Sequence, residues 1–411
     1  MTKGGKAVDE SLWHNENYWV SPFNYVAEVR GPLSLPARVR FHDATLRDGE
    51  QTPGLVLRTE EKVEVAQLLD EAGVDRIEVA MPAVSEDDER AVRAVAARGL
   101  KARVFAFARG TQGDVDLAAA CGADGIVLEL PLGEPRLRYQ FPTWTPEDAI
   151  EKSVRWAKYA KDKGLEVVLF PMDGTRARPE LLWRLLGEAG TRPEVDSVAL
   201  VDTTGSLAPP GIAYLTRRAR SLTGKPVEIH THNDFGLGVA GAMAAVAAGA
   251  EVVHTSVGGI GERTGNTPLE EIAVALKALY ALDSGIRFGR LAALVEAVMR
   301  ISGFRLAANK PVVGPNAFIR ESGMGVHLVK EQPLVLFGLH PAFVGRRAEY
   351  VLGKKSGAAS IAMKLRDLGL APLSEDRLAA VLKAVKEAGI RKKGLVTDEE
   401  FLAIIKQIET S

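Results

Sequence analysis

The sequence predicts a (β/α)8 TIM barrel with an N-terminal arm over residues 1–37 and a C-terminal accessory helical region. Three observations favour this fold class. From residue 38, short runs rich in β-branched residues alternate with longer amphipathic runs. The alternation repeats eight times within roughly 250 residues, which is the usual size of such a barrel. No glycine-rich dinucleotide fingerprint follows the first apolar run, which argues against an open doubly wound sheet.

The eight strand-helix pairs follow one another in order and place the barrel at residues 38–282. The predicted strands are RVRFHDA, DRIEVAM, KARVFAFA, DGIVLEL, EVVLFPM, DSVALVD, VEIHTH and AEVVHTSV. Each is followed by a helical run, from TEEKVEVAQLLDEAG after the first strand to PLEEIAVALKALYAL after the eighth. Several of these runs end in glycine, which helix C-termini favour.

The segments outside the barrel differ from it in composition. The arm contains aromatic residues in a polar stretch, LWHNENYWVSPFNY, so it could dock on its own domain or on another subunit. Residues 283–411 begin with a helical run, become irregular and rich in Gly and Pro, and end in short amphipathic helices. We therefore predict a C-terminal linker and helical accessory region over 283–411, and no separate α/β regulatory domain.

Composition excludes several classes of partner. The chain has 411 residues with 52 Lys and Arg against 53 Asp and Glu, a formal net charge of -1, so we expect neither a nucleic-acid nor a membrane partner. No apolar run is long enough to span a bilayer, and MTKGGKAVDE lacks the apolar region of a secretory signal. A single cysteine, Cys121, cannot form an intramolecular disulfide. We expect a cytoplasmic protein.

Two polar segments, after strands one and seven, predict a metal site. His230 and His232 in VEIHTHNDFG lie two residues apart on a strand, so they project to the same side. Asp48 in HDATLRDGEQTPG is the leading anionic third ligand. Imidazole and carboxylate donors suit Mn, Mg, Zn or Co. An isolated HxH pair is more often structural or on the surface. Its place at a strand end, before Asn233 and Asp234 and opposite a charged loop, makes a metal site possible, and the metal interpretation rests mainly on the family resemblance given below.

The same first loop predicts a site for a carboxylate substrate. The Arg47 guanidinium can hold a carboxylate through two hydrogen bonds, and Gln51 can donate to the same group. A structural ion pair of Arg47 with Asp43 or Glu78 is the alternative, and Glu78 can also orient Arg47. Thr203, at the end of strand six, offers a hydroxyl that either contacts substrate or only satisfies the strand end.

Two further loops lie at the same predicted rim of the barrel. The glycines of SVGGIGERTGN, after strand eight, allow a ligand to approach the backbone closely, as in a phosphate-binding loop. Asn266 in this loop is either a fourth metal ligand or the cap of the next helix. An extra loop after strand four contains Arg136, Arg138 and Tyr139, which either cover a ligand or lie on an ordinary surface.

HDATLRDGEQTPG together with HTHNDFGLGVAGAMAAVAAGAEVVHTSVGGIGERTGN resembles the DRE-TIM metallolyase superfamily. The resemblance is to its acyl-CoA-condensing branch, the isopropylmalate, homocitrate and citramalate synthases. It extends over residues 38 to about 360, through PNAFIRESG and LGKKSG. It implies a divalent metal at Asp48, His230 and His232, and a 2-oxo acid held by Arg47 and that metal. It also implies an acyl-CoA whose α-carbon is deprotonated and attacks the ketone.

The resemblance implies further site residues and partners. Glu78 and Thr203 match catalytic positions, and Arg109 in FARGTQ is similar to a substrate-binding arginine after strand three. A homodimer with exchanged C-terminal segments is implied as well. A lyase branch that cleaves hydroxymethylglutaryl-CoA is less similar, because its loop after strand eight contains a catalytic cysteine that SVGGIGERTGN lacks.

The chain departs from the synthases after the barrel. Where they have a stretch similar to ESGIHVDGVLKNPLTYE, this chain has ESGMGVHLVKEQPLVLF. Gly325 stands at the position of a catalytic histidine and Leu336 at that of a tyrosine, while His327, two residues away, remains the candidate for that histidine. A glutamate expected after strand five is not evident in VVLFPMDGTR, where Asp173 and Arg176 are the nearest polar groups.

Two other histidines, His254 and His340, are interpreted as structural. The first functional hypothesis is a metal-dependent Claisen condensation of an acyl-CoA, acetyl-CoA foremost, with a 2-oxo acid to give a 2-hydroxy dicarboxylic acid. The second is a carbon-carbon lyase or aldolase that acts on a 2-hydroxy acid or a hydroxyacyl-CoA. The third is a barrel that binds metal and 2-oxo acid without catalysis.

Overall fold

A computed structural model describes residues 9–410. The chain forms two compact units. The first contains residues 9–12 and Pro22–Leu306, and the second contains Trp13–Ser21 and residues 307–410. The barrel unit therefore extends beyond the predicted end at residue 282, and the predicted arm is shared between the two units. Residues 1–8 of that arm lie outside the described residues.

The first unit is a closed barrel of eight parallel strands in sequence order, with β1 paired to both β2 and β8. The strands are β1 Arg40–Asp43, β2 Arg76–Ala80, β3 Arg103–Arg109, β4 Gly125–Pro131, β5 Glu166–Met172, β6 Ser197–Asp202, β7 Val227–Thr231 and β8 Val252–Thr255. The predicted (β/α)8 barrel is confirmed. The C-terminal ends of all eight strands thus lie at one rim, where barrel active sites form.

Helices surround this barrel, and a short helix precedes it. They are α1 Ala27–Arg30, α2 Thr59–Ala72, α3 Glu86–Ala96, α4 Gln112–Ala120, α5 Pro146–Asp162, α6 Pro179–Leu185, α7 Pro209–Thr223, α8 Gly238–Ala247, α9 Leu269–Tyr280 and α10 Leu291–Ser302. The sequence of α3 shows why such a helix forms. The Ser85 hydroxyl accepts a hydrogen bond from the Asp88 amide, and acidic residues occupy the first turn. Its apolar residues Ala91, Val92 and Val95 are buried on one side.

The inner face of the barrel changes character around the ring. Strands β3 to β6 fill it with an apolar cluster of Phe105, Phe107, Val127, Val168, Phe170, Ala199 and Val201. These residues recur every second position because side chains alternate between the two faces of a strand. Strands β1, β2, β7 and β8 instead contribute buried polar side chains, His42, Glu78, Glu228 and His254. The barrel interior is therefore half apolar and half ionic.

The second unit is helical, as predicted for the C-terminal region. Its helices are α11 Leu328–Glu331, α12 Ala358–Asp367, α13 Glu375–Lys392 and α14 Asp398–Glu409, beside a two-stranded parallel sheet of β9 Ile319–Arg320 and β10 Glu349–Tyr350. Eight buried residues form its core: Leu352, Ile361, Leu365, Val381, Val385, Val396, Phe401 and Ile405.

The aromatic arm lies on its own chain. In the second unit the His340 amide donates to the Asn17 carbonyl at 2.8 Å, and Tyr18 forms a bridge with Leu339. Farther along, in the first unit, the Tyr25 hydroxyl donates to the Ala278 carbonyl at 2.8 Å. Across residues 9–410 no helix combines the length and apolar character that crossing a bilayer requires.

Candidate metal and substrate site

Three side chains from opposite ends of the sequence meet at the rim of the barrel. His230 lies near the end of β7, His232 follows that strand, and Asp48 lies in the loop after β1. The two Nε2 atoms are 3.3 Å apart, and Asp48 Oδ2 lies 3.6 Å from His230 Nε2 and 3.8 Å from His232 Nε2. All three side chains are buried. The structure thus brings together the three residues predicted as metal ligands.

The spacing of these donor atoms fits one divalent ion. An ion at the centre of a triangle with edges of 3.3, 3.6 and 3.8 Å lies about 2.1 Å from each corner. That is an ordinary bond length to imidazole nitrogen or carboxylate oxygen. The imidazole rings are inclined at 72°, so their in-plane lone pairs can converge on one point.

The protonation states also suit metal binding. Burial lowers the pKa of His230 well below its usual value, and burial likewise lowers the pKa of His232. Both rings are therefore neutral at neutral pH. Burial alone would raise the pKa of Asp48, but Arg47 and the two histidines hold it below the ordinary value, so its carboxylate is ionised. Neutral imidazole and ionised carboxylate are the ligand forms that metal binding needs.

Asn266 is positioned beside this triad. Its Nδ2 donates to Asp48 Oδ1 at 2.9 Å, and its buried Oδ1 has no hydrogen-bond partner among residues 9–410. The alternative role as a helix cap is wrong, because α9 begins at Leu269 with Pro268 at the capping position. A Cβ on Gly261 would lie 2.3 Å from Asn266 Nδ2, so this glycine lets the loop after β8 pass close to the triad.

Arg47 is held rigidly at the edge of the triad. Its Nε donates to Glu78 Oε1 and its Nη1 donates to Asp48 Oδ2 at 3.1 Å. The guanidinium stacks over Phe107, 4.1 Å from the ring centre. Its buried Nη2 has no hydrogen-bond partner in the described part of the chain. Asp43 instead accepts from Thr45 and Thr255, so the alternative Arg47–Asp43 pair is wrong.

Glu78 positions Arg47 from the floor of the site. Its second oxygen, Oε2, accepts a hydrogen bond from His42 Nε2 at 2.9 Å. Burial would raise the pKa of Glu78, but Arg47 and His42 lower it to about 2. The carboxylate therefore stays charged, and its geometry is fixed on both sides.

A cavity of about 630 Å³ opens above these groups. Asp48, His230, His232 and Arg47 lie in its wall, together with the exposed Gln51 and the buried Thr203. The Thr203 hydroxyl accepts from the Asp173 amide at 2.9 Å. One donor position of Thr203, its hydroxyl hydrogen, is thus left for a ligand or solvent.

Arg109 is the predicted substrate-binding residue of the barrel that the structure does not place on the cavity wall. Its guanidinium turns to Asp114 in α4, with Nε 2.8 Å from Oδ2 and Nη2 3.1 Å from Oδ1. His327 is exposed in the second unit, one residue before α11. In that unit Gly325 and Leu336 face each other, since a Cβ on Gly325 would lie 4.0 Å from Leu336 Cδ2.

Of the three residues singled out in the loop after β4, one lies on the cavity wall. Arg136 lies in the wall, donates to Gln140 at 2.8 Å, and has a buried Nε without a partner among residues 9–410. Arg138 stacks over the exposed Tyr139, 5.2 Å from the ring centre, and neither lines this cavity.

Among the cavity residues that sequence reasoning missed, two bear on the chemistry of the site, Phe107 and Glu129. Phe107, which supports Arg47, was hidden in an ordinary apolar strand. Glu129, in β4, also lines the cavity. The signal that could have found it is a lone acidic residue in IVLELPL, two positions after the inward-facing Val127.

A second group of possible metal donors lies deeper in the barrel, at His42, Glu228 and His254. The two imidazoles are stacked, with ring centres 4.3 Å apart and planes 12° from parallel. In-plane lone pairs of parallel rings cannot meet at one ion. His254 Nε2 already donates to Glu228 Oε2 at 2.7 Å, and His42 donates to Glu78. This group is therefore a hydrogen-bonded structure, consistent with the structural role expected for His254.

The comparisons with known proteins show the family of the chain. Residues 38–298 match the family model described as HMGL-like, and residues 312–393 match the one described as homocitrate synthase post-HMGL domain-like. The homocitrate synthase AksA of Methanopyrus kandleri is 40% identical over 387 residues, which cover 93% of this chain and 96% of that protein.

Two further relatives of the same organism bear different synthase names. A probable 2-isopropylmalate synthase is 40% identical over 359 residues, covering 87% of this chain and 71% of that protein. A putative (R)-citramalate synthase CimA is 38% identical over 383 residues, covering 93% of this chain and 74% of that protein.

Among solved structures, the HMG-CoA lyase of Bacillus subtilis superposes with a TM-score of 0.60 at 19% identity, over 67% of this chain and 97% of that one. The hydroxymethylglutaryl-CoA lyase of Pseudomonas aeruginosa superposes with a TM-score of 0.60 at 20% identity, over 67% of this chain and 97% of that one. At these identities the likeness is one of fold.

Proposed function

The chain belongs to the HMGL-like family and to the synthase branch of the DRE-TIM metallolyase superfamily, and from that premise we propose that it joins acetyl-CoA to a 2-oxo acid. The chain is thus an acyltransferase, and the product is a 2-hydroxy dicarboxylic acid. One observation supports this most directly. Arg47 presents a free, buried Nη2 beside three donors for one divalent ion in a single cavity.

Asp48, His230 and His232 would hold the metal, with Asn266 Oδ1 as a fourth donor. Mn, Mg, Zn and Co all accept such a donor set, and the two imidazoles favour the transition metals over Mg. When bound, a divalent ion supplies Lewis-acid polarisation of the ketone oxygen of a 2-oxo acid. Metal binding and the identity of the ion are part of the proposal.

Arg47 would bind the carboxylate of the 2-oxo acid. Its Nη2 is free, and its other nitrogens are fixed by Glu78 and Asp48, so the guanidinium is already oriented before substrate arrives. Gln51 and Thr203 supply further donors on the same wall. The pocket is thus preorganised for a small anion beside the metal site.

We propose an assay for thiol release as the direct test. Purified protein with Mn²⁺, acetyl-CoA and each of a panel of 2-oxo acids is followed for free CoA, and products are identified by mass. We expect one CoA released per 2-oxo acid consumed, with one preferred acid. If no acid releases CoA while 2-hydroxy acids or hydroxyacyl-CoA are cleaved to 2-oxo products, the lyase function replaces this one.

Variants connect that assay to the site. Arg47→Lys keeps the positive charge and removes the forked donor, so we expect KM for the 2-oxo acid to rise about 10-fold or more, the worth of one charge-assisted hydrogen bond. Arg93→Lys, on the outer helix α3, is the matched control and should leave KM unchanged. Equal KM values for Arg47→Lys and wild type would remove Arg47 from the substrate site.

The proposed homodimer has a separate test. The resemblance to the synthases supports it, and the mass in solution measured by light scattering decides it. A monomeric mass at assay concentration would contradict the homodimer and leave the barrel site unaffected.

A further inference from the structure

Glu129 occupies an inward-facing position at the rim of the barrel. It follows Val127 by two residues on β4, and Val127 belongs to the apolar inner face. Its partner across the sheet on β5 is Phe170, whose ring lies 5.2 Å from that of His230. Glu129 lines the same cavity as the metal donors. Its carboxyl group is thus in the chamber where the reaction is proposed to occur.

The other carboxylates of this cavity are engaged. They and their partners are Asp48 with Arg47 and Asn266, Glu50 with Lys62, Asp87 with Arg90 and Thr59, Asp88 with Lys62, and Glu262 with Arg263. Glu129 differs from all of them. Within residues 9–410 its carboxyl makes no hydrogen bond or ion pair with any side chain or backbone group.

The arginines whose charges reach Glu129 have other hydrogen-bond partners. Arg109 pairs with Asp114, Arg47 with Glu78 and Asp48, and Arg136 with Gln140. Burial raises the pKa of Glu129 above its usual value. The charge of Glu78 also raises it, while the charges of Arg47 and Arg136 lower it without cancelling the effect of burial. A raised pKa makes a carboxylate a stronger base, closer to the pH at which an enzyme works.

Other acid-base groups near the strand ends are not available for this task. Asp173 is fully buried and forms two hydrogen bonds to Arg176, from Nε at 2.8 Å and from Nη2 at 2.7 Å. In the second unit, Gly325 and Leu336 stand where the synthases have a histidine and a tyrosine. The cavity nevertheless contains, among the described residues, one carboxyl group without a partner.

We propose that Glu129 is the general base that removes the α-proton of the acyl thioester, an inference that rests on the proposed condensation. The C–H bond at the α-carbon breaks and its proton passes to the Glu129 carboxylate. The electron pair of that bond forms the new carbon-carbon bond to the ketone carbon of the 2-oxo acid. The π pair of the ketone moves to its oxygen, which takes up one proton, so nothing is oxidised or reduced. Water then cleaves the thioester and releases CoA.

Glu129→Gln tests this role, because the amide keeps the shape of the side chain and cannot take a proton. We expect kcat for CoA release to fall about 10²- to 10⁴-fold, the usual contribution of a general base. KM for the 2-oxo acid should change by less than about threefold, since Arg47 and the metal donors are untouched. Glu134→Gln, in the loop that follows β4 and paired with the exposed Arg178, is the matched control and should keep wild-type kcat.

An isotope effect separates proton removal from a structural role. With acetyl-CoA deuterated in its methyl group, a weakened base makes proton transfer more rate-limiting, so the effect on kcat should be larger in Glu129→Asp than in wild type. Glu129→Asp keeps a carboxylate at a shorter reach, and we expect it to retain part of the activity that Glu129→Gln loses. Glu129→Asp also provides the test of the assignment if Glu129→Gln does not fold.

The outcomes distinguish this inference from the proposed function. A wild-type protein that condenses no 2-oxo acid refutes the condensation itself. If the wild-type protein is active and Glu129→Gln retains more than about a tenth of the wild-type kcat, only the assignment of Glu129 is refuted. A reduced kcat in Glu129→Asp with an unchanged isotope effect also refutes it, because the loss would then be structural.

Discussion

Two groups of histidines and carboxylates lie in one barrel and behave differently. The mouth cluster consists of Asp48, His230 and His232, and the interior cluster consists of His42, Glu78, Glu228 and His254. In the mouth cluster the imidazole planes are inclined at 72° and their Nε2 atoms approach to 3.3 Å. In the interior cluster the planes of His42 and His254 are 12° apart and each ring donates to its own carboxylate.

The difference indicates that the orientation of the donors, more than the residue type, makes one cluster suited to a metal and the other not. Each interior carboxylate already has its donors: Glu228 accepts from Arg76, Ser197 and His254, and Glu78 accepts from Arg47 and His42. The mouth cluster directs three donors to one point beside an open cavity. Glu78 joins the two, because it contacts Arg47 above and His42 below.

The largest expected effect comes from a substitution that disrupts the interior cluster. Glu228→Gln removes a buried charge that accepts from Arg76, Ser197 and His254. Arg76 keeps its second partner, Glu166, so we expect the free energy of unfolding to fall by about 3–4 kcal/mol, near the lower end of the cost of breaking a buried ion pair. Asp48→Asn is the matched change in the mouth cluster. Because Arg47 keeps Glu78, we expect Asp48→Asn to cost only about 1 kcal/mol in metal-free protein. Urea unfolding of both variants measures the two values.

Equal losses for the two variants would contradict the comparison. They would mean that the carboxylate of Asp48 is as much a part of the folded core as that of Glu228. A larger loss for Asp48→Asn would reverse the assignment of structural and functional roles.

The next effect concerns pH. Burial, followed by the charge of His254, lowers the pKa of His42 to about 4. The unfolded chain binds this proton near pH 6.5 and the folded chain only near pH 4, so stability is lost as pH falls through that window. We expect His42 to account for about 3 kcal/mol of that loss, at about 1.36 kcal/mol per unit of pKa. His42→Gln keeps a donor for Glu78 without titrating.

The measurement is the free energy of unfolding of wild type and His42→Gln at several pH values between about 6.5 and 4, with metal removed by a chelator. The difference between the two proteins isolates His42 from the other groups that titrate in this range. If the curves stay parallel, His42 does not remain neutral in the folded interior.

Local patterns predicted the fold, and together with the resemblance to the synthases they selected three residues that the structure brings together at the rim. Strand-helix alternation is a short-range signal, and the closed ring then places all strand ends at one rim. For that reason Asp48, His230 and His232 could be joined although they lie far apart in sequence. The limits of the barrel unit were harder to predict, because the helix α10 packs on the barrel yet follows the last strand-helix pair.

Side-chain directions at the rim could not be predicted from local patterns. Arg109 is the last residue of β3, two positions after the inward-facing Phe107, but its guanidinium binds Asp114 in the next helix and does not line the cavity. Asn266 resembles a helix cap until the helix is seen to begin three residues later. Glu129 is visible in the sequence as an acidic residue in a strand, yet its lack of a partner among the described residues depends on where three separate arginines turn.

The smallest effect tests the mouth cluster directly. Mn²⁺ at about 100 times its dissociation constant should raise the free energy of unfolding by about 2.7 kcal/mol, because it binds only the folded protein. His232→Ala should abolish this increment, and His42→Gln should keep it although its starting stability differs. Thermal unfolding with and without Mn²⁺ gives both results. An increment that survives in His232→Ala and disappears in His42→Gln would place the ion in the interior, where parallel imidazoles leave no common point for it.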